Sequence, residues 1–127
     1  MRPIAPLITT IALCACIGGD PFSQIGYFKD DNRNRVFMLY AENPTEEQAI
    51  EAARSSMHTS GRFTVTYIFV GRNKPKDIAT LADNYVAAND AVYAAGKKWR
   101  WRYIASPNGK TILIDCYTKS PDPDHCN

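Results

Sequence analysis

Residues 62–71 read RFTVTYIFVG. Phe63, Val65, Tyr67 and Phe69 alternate with Thr64, Thr66, Ile68 and Val70, and β-branched and aromatic residues dominate, so the run predicts a strand. Just upstream, the segment opening at Asn43-Pro44-Thr45-Glu46-Glu47-Gln48 predicts a helix. Thr45 is its N-cap, Gln48 reaches back to complete a capping box, and the two acids oppose the macrodipole. Ala49, Ile50, Ala53 and Met57 fall on one face, and Gly61 stops the helix. Further upstream, residues 35–41 (RVFMLYA) are apolar at nearly every position, the pattern of a strand buried on both faces.

Downstream, a helical period runs through Ile78, Leu81, Ala82, Tyr85, Val86, Val92 and Tyr93, predicting a second helix from about Pro75 to Gly96. Residues 98–105 and 111–118 then flank Pro107-Asn108-Gly109, an Asn-Gly hairpin signal of type I′. The order is β-α-β-α-β-β. It predicts an α+β fold of two layers, with a four-stranded mixed sheet, both helices on one face and a C-terminal β-hairpin.

The chain has 127 residues, 45% hydrophobic and 22% charged, enough for one domain and too apolar for disorder. Fifteen Lys and Arg stand against 13 Asp and Glu. That balance excludes a histone-like coat for a polyanion, and nucleic acid is not an expected partner.

The first sixteen residues, MRPIAPLITTIALCAC, differ in kind from the rest. Arg2 provides a positive start. Ile4 to Leu13 carry no charge, and the stretch is well short of the roughly 20 residues needed to span a bilayer as a helix. Leu13-Cys14-Ala15-Cys16 resembles the lipobox of bacterial lipoproteins. The resemblance implies a signal peptide over residues 1–15, cleavage before Cys16, and acylation of Cys16. Two or three acyl chains give stable anchoring, at about 0.8 kcal/mol per buried methylene. It further implies an exported protein facing the periplasm. Ile17 is not the Asp that retains such proteins in the inner membrane of enteric bacteria, which favours the outer membrane.

Residues 16–35 are rich in Gly, Asp and Asn and predict a lipidated tether, with Tyr27 and Phe28 as docking aromatics. Residues 36–127 form the single domain. With Cys14 removed and Cys16 lipidated, Cys116 and Cys126 remain, and a pair in an exported chain predicts a disulfide that fastens the Pro-rich tail. Asp122, Asp124, His125 and Cys126 match no standard zinc spacing, so no metal is expected.

The segment Lys97-Lys98-Trp99-Arg100-Trp101-Arg102-Tyr103 is the most unusual. Alternation places Trp99, Trp101 and Tyr103 on one face, for burial beneath the helices, and Lys98, Arg100 and Arg102 on the other. The three cations are candidates for contact with a partner or an anionic polymer. A two- or four-residue hairpin loop would set Asp115 against Arg102 or Arg100 as a cross-strand ion pair. Arg72, Lys74 and Lys76, in the turn after the central strand, form a second candidate contact. His58, beside Ser55, Ser56, Thr59 and Ser60, reads as a helix terminus rather than a nucleophile–base pair, and Glu46, Glu47 and Glu51 as a solvated face.

No phosphate loop, dinucleotide fingerprint, HExxH or CxxC occurs, so neither catalytic residues nor a cofactor is expected. The expectation is a non-catalytic, lipid-anchored interaction module of the cell envelope, an accessory subunit or docking domain with a protein partner. The alternatives are an inhibitor or immunity-type protein acting on an envelope enzyme, and a binder of an anionic polymer.

Overall fold

The computed structural model describes residues 21–76, 84–94 and 99–117. It shows an α+β fold in which five strands form one mixed sheet. In chain order the elements are β1 (Ser23–Lys29), β2 (Arg35–Ala41), α1 (Glu46–Ser55), β3 (Thr64–Val70), α2 (Tyr85–Ala94), β4 (Trp101–Ala105) and β5 (Thr111–Asp115). The strands lie side by side in chain order. The β2–β3 pair is parallel, joined through α1, and every other pair is antiparallel.

Patterning predicts four strands and a tether as far as residue 35. The strand it does not predict is β1, which makes residues 23–29 part of the domain. Two features obscure it. The register shifts between Gln24 and Gly26, a bulge that interrupts the period of two while leaving Ile25 buried. Its polar ending, Asp30-Asp31-Asn32-Arg33-Asn34, is a hairpin turn rather than a linker. The Asp30 carboxylate accepts the Asn32 and Asn34 N–H groups at 2.9 and 2.8 Å and the Asn34 side-chain amide at 2.9 Å. Arg33 meanwhile takes a left-handed φ of 70°.

The helices are expected on one face and lie on opposite faces. Val36, Met38, Val65, Tyr67 and Phe69 share one cluster with Ala88 and Val92 of α2, while Leu39, Ile68 and Trp101 share another with Ala49 of α1. The physical reason is in β2 and β3 themselves. β2 is apolar on alternate and intervening positions, β3 adds Ile68 to the intervening set and buries Thr64 and Thr66 beside it, and a strand buried on two faces needs cover on each. Small residues, Ala49 and Ala53 on α1 and Ala88 on α2, are the buried ones that let each helix approach the sheet.

The Thr45 capping box forms as expected: the Gln48 N–H donates to Thr45 Oγ1 at 3.1 Å, and Gln48 Oε1 accepts the Thr45 N–H at 2.9 Å. The second helix is expected to begin near Pro75. Among the described residues it begins at Tyr85, with Asn84 Oδ1 accepting the Ala87 N–H at 2.9 Å. Ile78, Leu81 and Ala82 lie outside the described residues.

The final hairpin also departs from expectation. Ser106 donates to Lys110 O and Gly109 donates to Ser106 O, which closes a three-residue loop with Gly109 at φ 87°. This is a type I turn followed by a left-handed glycine, not a type I′ turn. The odd loop length sets Trp101 opposite Asp115 and Arg102 opposite Ile114.

Candidate functional site

The β4 strip does not form a row of free cations. The Arg100 N–H donates to Ile68 O at 2.8 Å, while Trp101 is itself in register with Ile68. Two residues thus stand against one, a bulge that breaks the alternation. Trp99 joins the α2-side cluster and Trp101 the α1-side cluster, so they do not share a face.

Arg100 stacks over the Trp101 and Tyr117 rings, with Cζ 4.2 and 4.7 Å from their centroids, and its Nε lies 3.6 Å from Asp115 Oδ1. The Arg100–Asp115 pairing is thus present, though diagonal rather than directly across. Arg102 lies over Trp99 with Cζ 5.2 Å from the ring centroid. These guanidinium planes are held by aromatic faces of the same molecule. Lys98, Cys16 and Cys126, like Asp122, Asp124 and His125, lie outside the described residues. Cys116 is buried where β5 ends and is not a free thiol.

The sheet's register gathers a different set of cations. Lys29, Arg35, Thr64, Ala105 and Thr111 form one row across the five strands, at the end of the sheet where β2 and β3 begin. Three loops, residues 30–34, 56–63 and 106–110, meet there. Phe63 N–H donates to Asn34 Oδ1 at 2.9 Å, and Gly61 N–H to Pro107 O at 3.1 Å. Arg35 binds the same cluster from below: it is 5% exposed, its Nη1 donates to Thr59 Oγ1 at 2.6 Å and its Nε to Tyr27 Oη at 3.3 Å. Those partners are neutral hydroxyls. Among the described residues the one ion pair is Arg100–Asp115.

Lys29, Arg33, Arg54, Arg62 and Lys110 are exposed around this buried guanidinium. The acids in the same region are Asp30 and Asp31. Six basic side chains against two acidic ones give a local excess of four, on a chain whose net charge is +2. Arg54, in the last turn of α1, complements that helix's negative end. The other four exposed cations stand on separate loops and strands, which the dipole does not explain.

A cavity of about 180 Å³ opens within this pole, between the end of α1 and the β4–β5 hairpin. Arg54, His58, Thr64, Tyr103, Ala105 and Thr111 line it. His58 Nδ1 lies 2.8 Å from Thr64 Oγ1, and neither His58 Nε2 nor the Tyr103 hydroxyl has a partner among the described residues. Ser56 also lines the cavity, but the Ser55 and Ser56 hydroxyls are engaged with the helix backbone, donating to Glu51 O and Ala52 O at 2.8 and 3.2 Å. The cavity can hold a small polar group against an apolar floor, with positive charge at its rim.

The opposite end carries the other expected contact. Arg72, Lys74 and Lys76 are exposed beyond β3, near Gly71, whose carbonyl accepts from the Tyr40 hydroxyl. The chain enters the sheet at this same end, since Ser23 pairs with Tyr40, one residue before Ala41 pairs with Val70. Glu42, Glu46 and Glu47 are exposed there too and offset the three cations.

Patterning does not find the basic pole, because Lys29, Arg33 and Arg35 lie far in sequence from Arg54, Arg62 and Lys110. The sheet register and the loops that meet at this end collect them. Among the described residues, no group of three His, Cys, Asp or Glu is placed to hold a metal, and no helix is long and apolar enough to cross a membrane. Comparison with known proteins finds no matching family model, no matching curated protein and no matching solved structure.

Proposed function

We propose that this chain is a lipid-anchored interaction module of the cell envelope, non-catalytic and serving as an accessory or docking domain for a protein partner. It is exported through the signal at residues 1–15, acylated at Cys16 and held at the periplasmic face of a membrane, the outer one by the identity of Ile17. A Cys116–Cys126 disulfide fastens its tail.

The observation that supports a docking role is the polarity of the domain. The chain enters at one end of the sheet, and the basic residues gather at the other, where Arg54 lines the cavity. From Cys16 to Phe22 the tether reaches at most about 20 Å. The entry end therefore stays near the lipid, and the basic pole points away from it, toward envelope partners. The stacking of Arg100 and Arg102 on the molecule's own aromatics favours this reading over a polymer binder that uses Lys98, Arg100 and Arg102.

Photocrosslinking in intact membranes tests it. A crosslinking amino acid at Arg62 in the basic pole gives one dominant heavier adduct, and the same group at Lys74 at the entry end does not. Equal adducts from both positions, or none from Arg62, contradict it.

A further inference from the structure

Resting on that docking role, we propose that the basic pole binds an extended acidic peptide segment of a partner protein. The segment would add as a sixth strand along the outer edge of β5, which pairs with no second strand among the described residues, with a carboxylate at the mouth of the His58 cavity. The two sheet edges are unlike. On β1, a bulge at Ile25 and the terminal Lys29 blunt the edge against pairing. From Thr111 to Asp115, β5 has neither a bulge, a proline nor a lysine.

Register identifies which of its main-chain groups face away from β4. Ser106 N–H donates to Lys110 O and Cys116 N–H to Arg100 O. In an antiparallel ladder the bonded positions alternate, so Lys110, Ile112, Ile114 and Cys116 turn their main-chain groups toward β4. Thr111 and Leu113 turn theirs outward, where no partner occurs among the described residues. Such an edge accepts one kind of ligand, an extended backbone with its own free amides.

Charge selects the segment. Thr111 lines the cavity as well as the edge, so a strand added there runs its alternate side chains past Arg54 and His58. Lys110 lies at the start of the same edge, and Arg62 on the neighbouring loop. Carboxylates at alternate positions meet these cations, whereas a basic segment is repelled. The surroundings are not purely ionic. Ile112 is 53% exposed on β5 and Met57 64% exposed beside the loop cluster, which suits a peptide alternating acidic with apolar residues better than a uniformly charged polymer.

Fluorescence anisotropy with the full chain in detergent tests the proposal, using as probe a labelled peptide that alternates glutamate with valine. The same peptide with lysine for glutamate is the control, and heparin is the competing polyanion. The glutamate peptide binds and the lysine peptide does not. Arg54→Glu with Lys110→Glu weakens binding by about tenfold or more.

Leu113→Pro removes an outward N–H and no β4 bond, so it abolishes peptide binding while the thermal melt shows the domain still folded. Should that variant fail to fold, Thr111→Pro and the charge-reversed pair still decide the question. Binding of both peptides alike, or heparin binding more tightly with no response to Leu113→Pro, overturns the proposal in favour of a simple polyanion surface. So does a dimer of the unliganded chain that Leu113→Pro dissociates, since the edge is then a self-interface. Adducts at Arg62 in membranes without acidic-peptide binding sink this inference and leave the docking role standing. Peptide binding without membrane adducts does the reverse.

Discussion

Trp101 is 1% exposed, and its indole N–H has no hydrogen-bond partner among the described residues. Its contribution is therefore shape, area and the ring face that Arg100 covers, rather than a hydrogen bond. Trp101→Phe costs less than about 1.5 kcal/mol, because no bond is lost, whereas Trp101→Ala costs about 3–5 kcal/mol through the cavity it leaves. Urea unfolding of the two variants measures the difference, and equal losses would mean that the indole nitrogen matters.

Asp30 gives a test of a different kind. Burial acts to raise its pKa, but the Asn34 side chain, the N–H groups of Asn34 and Asn32 and the charge of Arg62 outweigh it and hold the carboxyl below 3.8. A depressed folded value means that the stabilisation is present above 3.8 and is lost as pH falls through the lowered value. The gap in urea midpoint between the native chain and Asp30→Asn therefore narrows on acidification below pH 3.8. A gap that does not change with pH removes the carboxylate from the turn's account. Single residues of this kind were not readable: the Asp- and Asn-rich run around Asp30 reads as tether, and nothing local marks Arg35 as a buried cation.

Among the elements, the start of α1 was the most legible, because its signals are local; its end was not, since the helix stops at Ser55 rather than at Gly61 and leaves Met57 64% exposed. Thr45, Gln48 and the first-turn acids specify its start within four residues of sequence, and all are used. Thr45→Ala removes the Oγ1 acceptor for the Gln48 N–H, and the expected loss is about 1 kcal/mol by urea unfolding. No loss would mean that water replaces the cap without cost. The strands were legible where their period of two is unbroken, as in β3. They failed where a bulge intervenes, at Ile25 in β1 and at Arg100 before β4, because one extra residue reverses every side chain beyond it. The hairpin register failed for the same reason, since a three-residue loop instead of two shifts every cross-strand partner by one.

For the molecule as a whole, the α+β class and the succession from β2 to β5 were legible, and the first strand and the layering were not. The apolar intervening positions of β2 already demand two covered faces. Two layers cover only one of them. The candidate site was the least legible, because it exists only through the pairing of distant segments: Arg35, Arg54, Arg62 and Lys110 converge at one pole through sheet register and the loops that meet there.

Which way that pole faces depends on the anchor, and one measurement addresses the anchor directly: the intact mass of the native protein extracted in detergent, with and without reductant. The mass expected is that of a chain beginning at Cys16 and carrying acyl groups. Reduction adds two daltons by opening the Cys116–Cys126 bond, which is worth about 2–3 kcal/mol for so short a loop. An unlipidated mass beginning at Ile17 or later would contradict the account, because a freely diffusing domain has no membrane end from which its basic pole could point away.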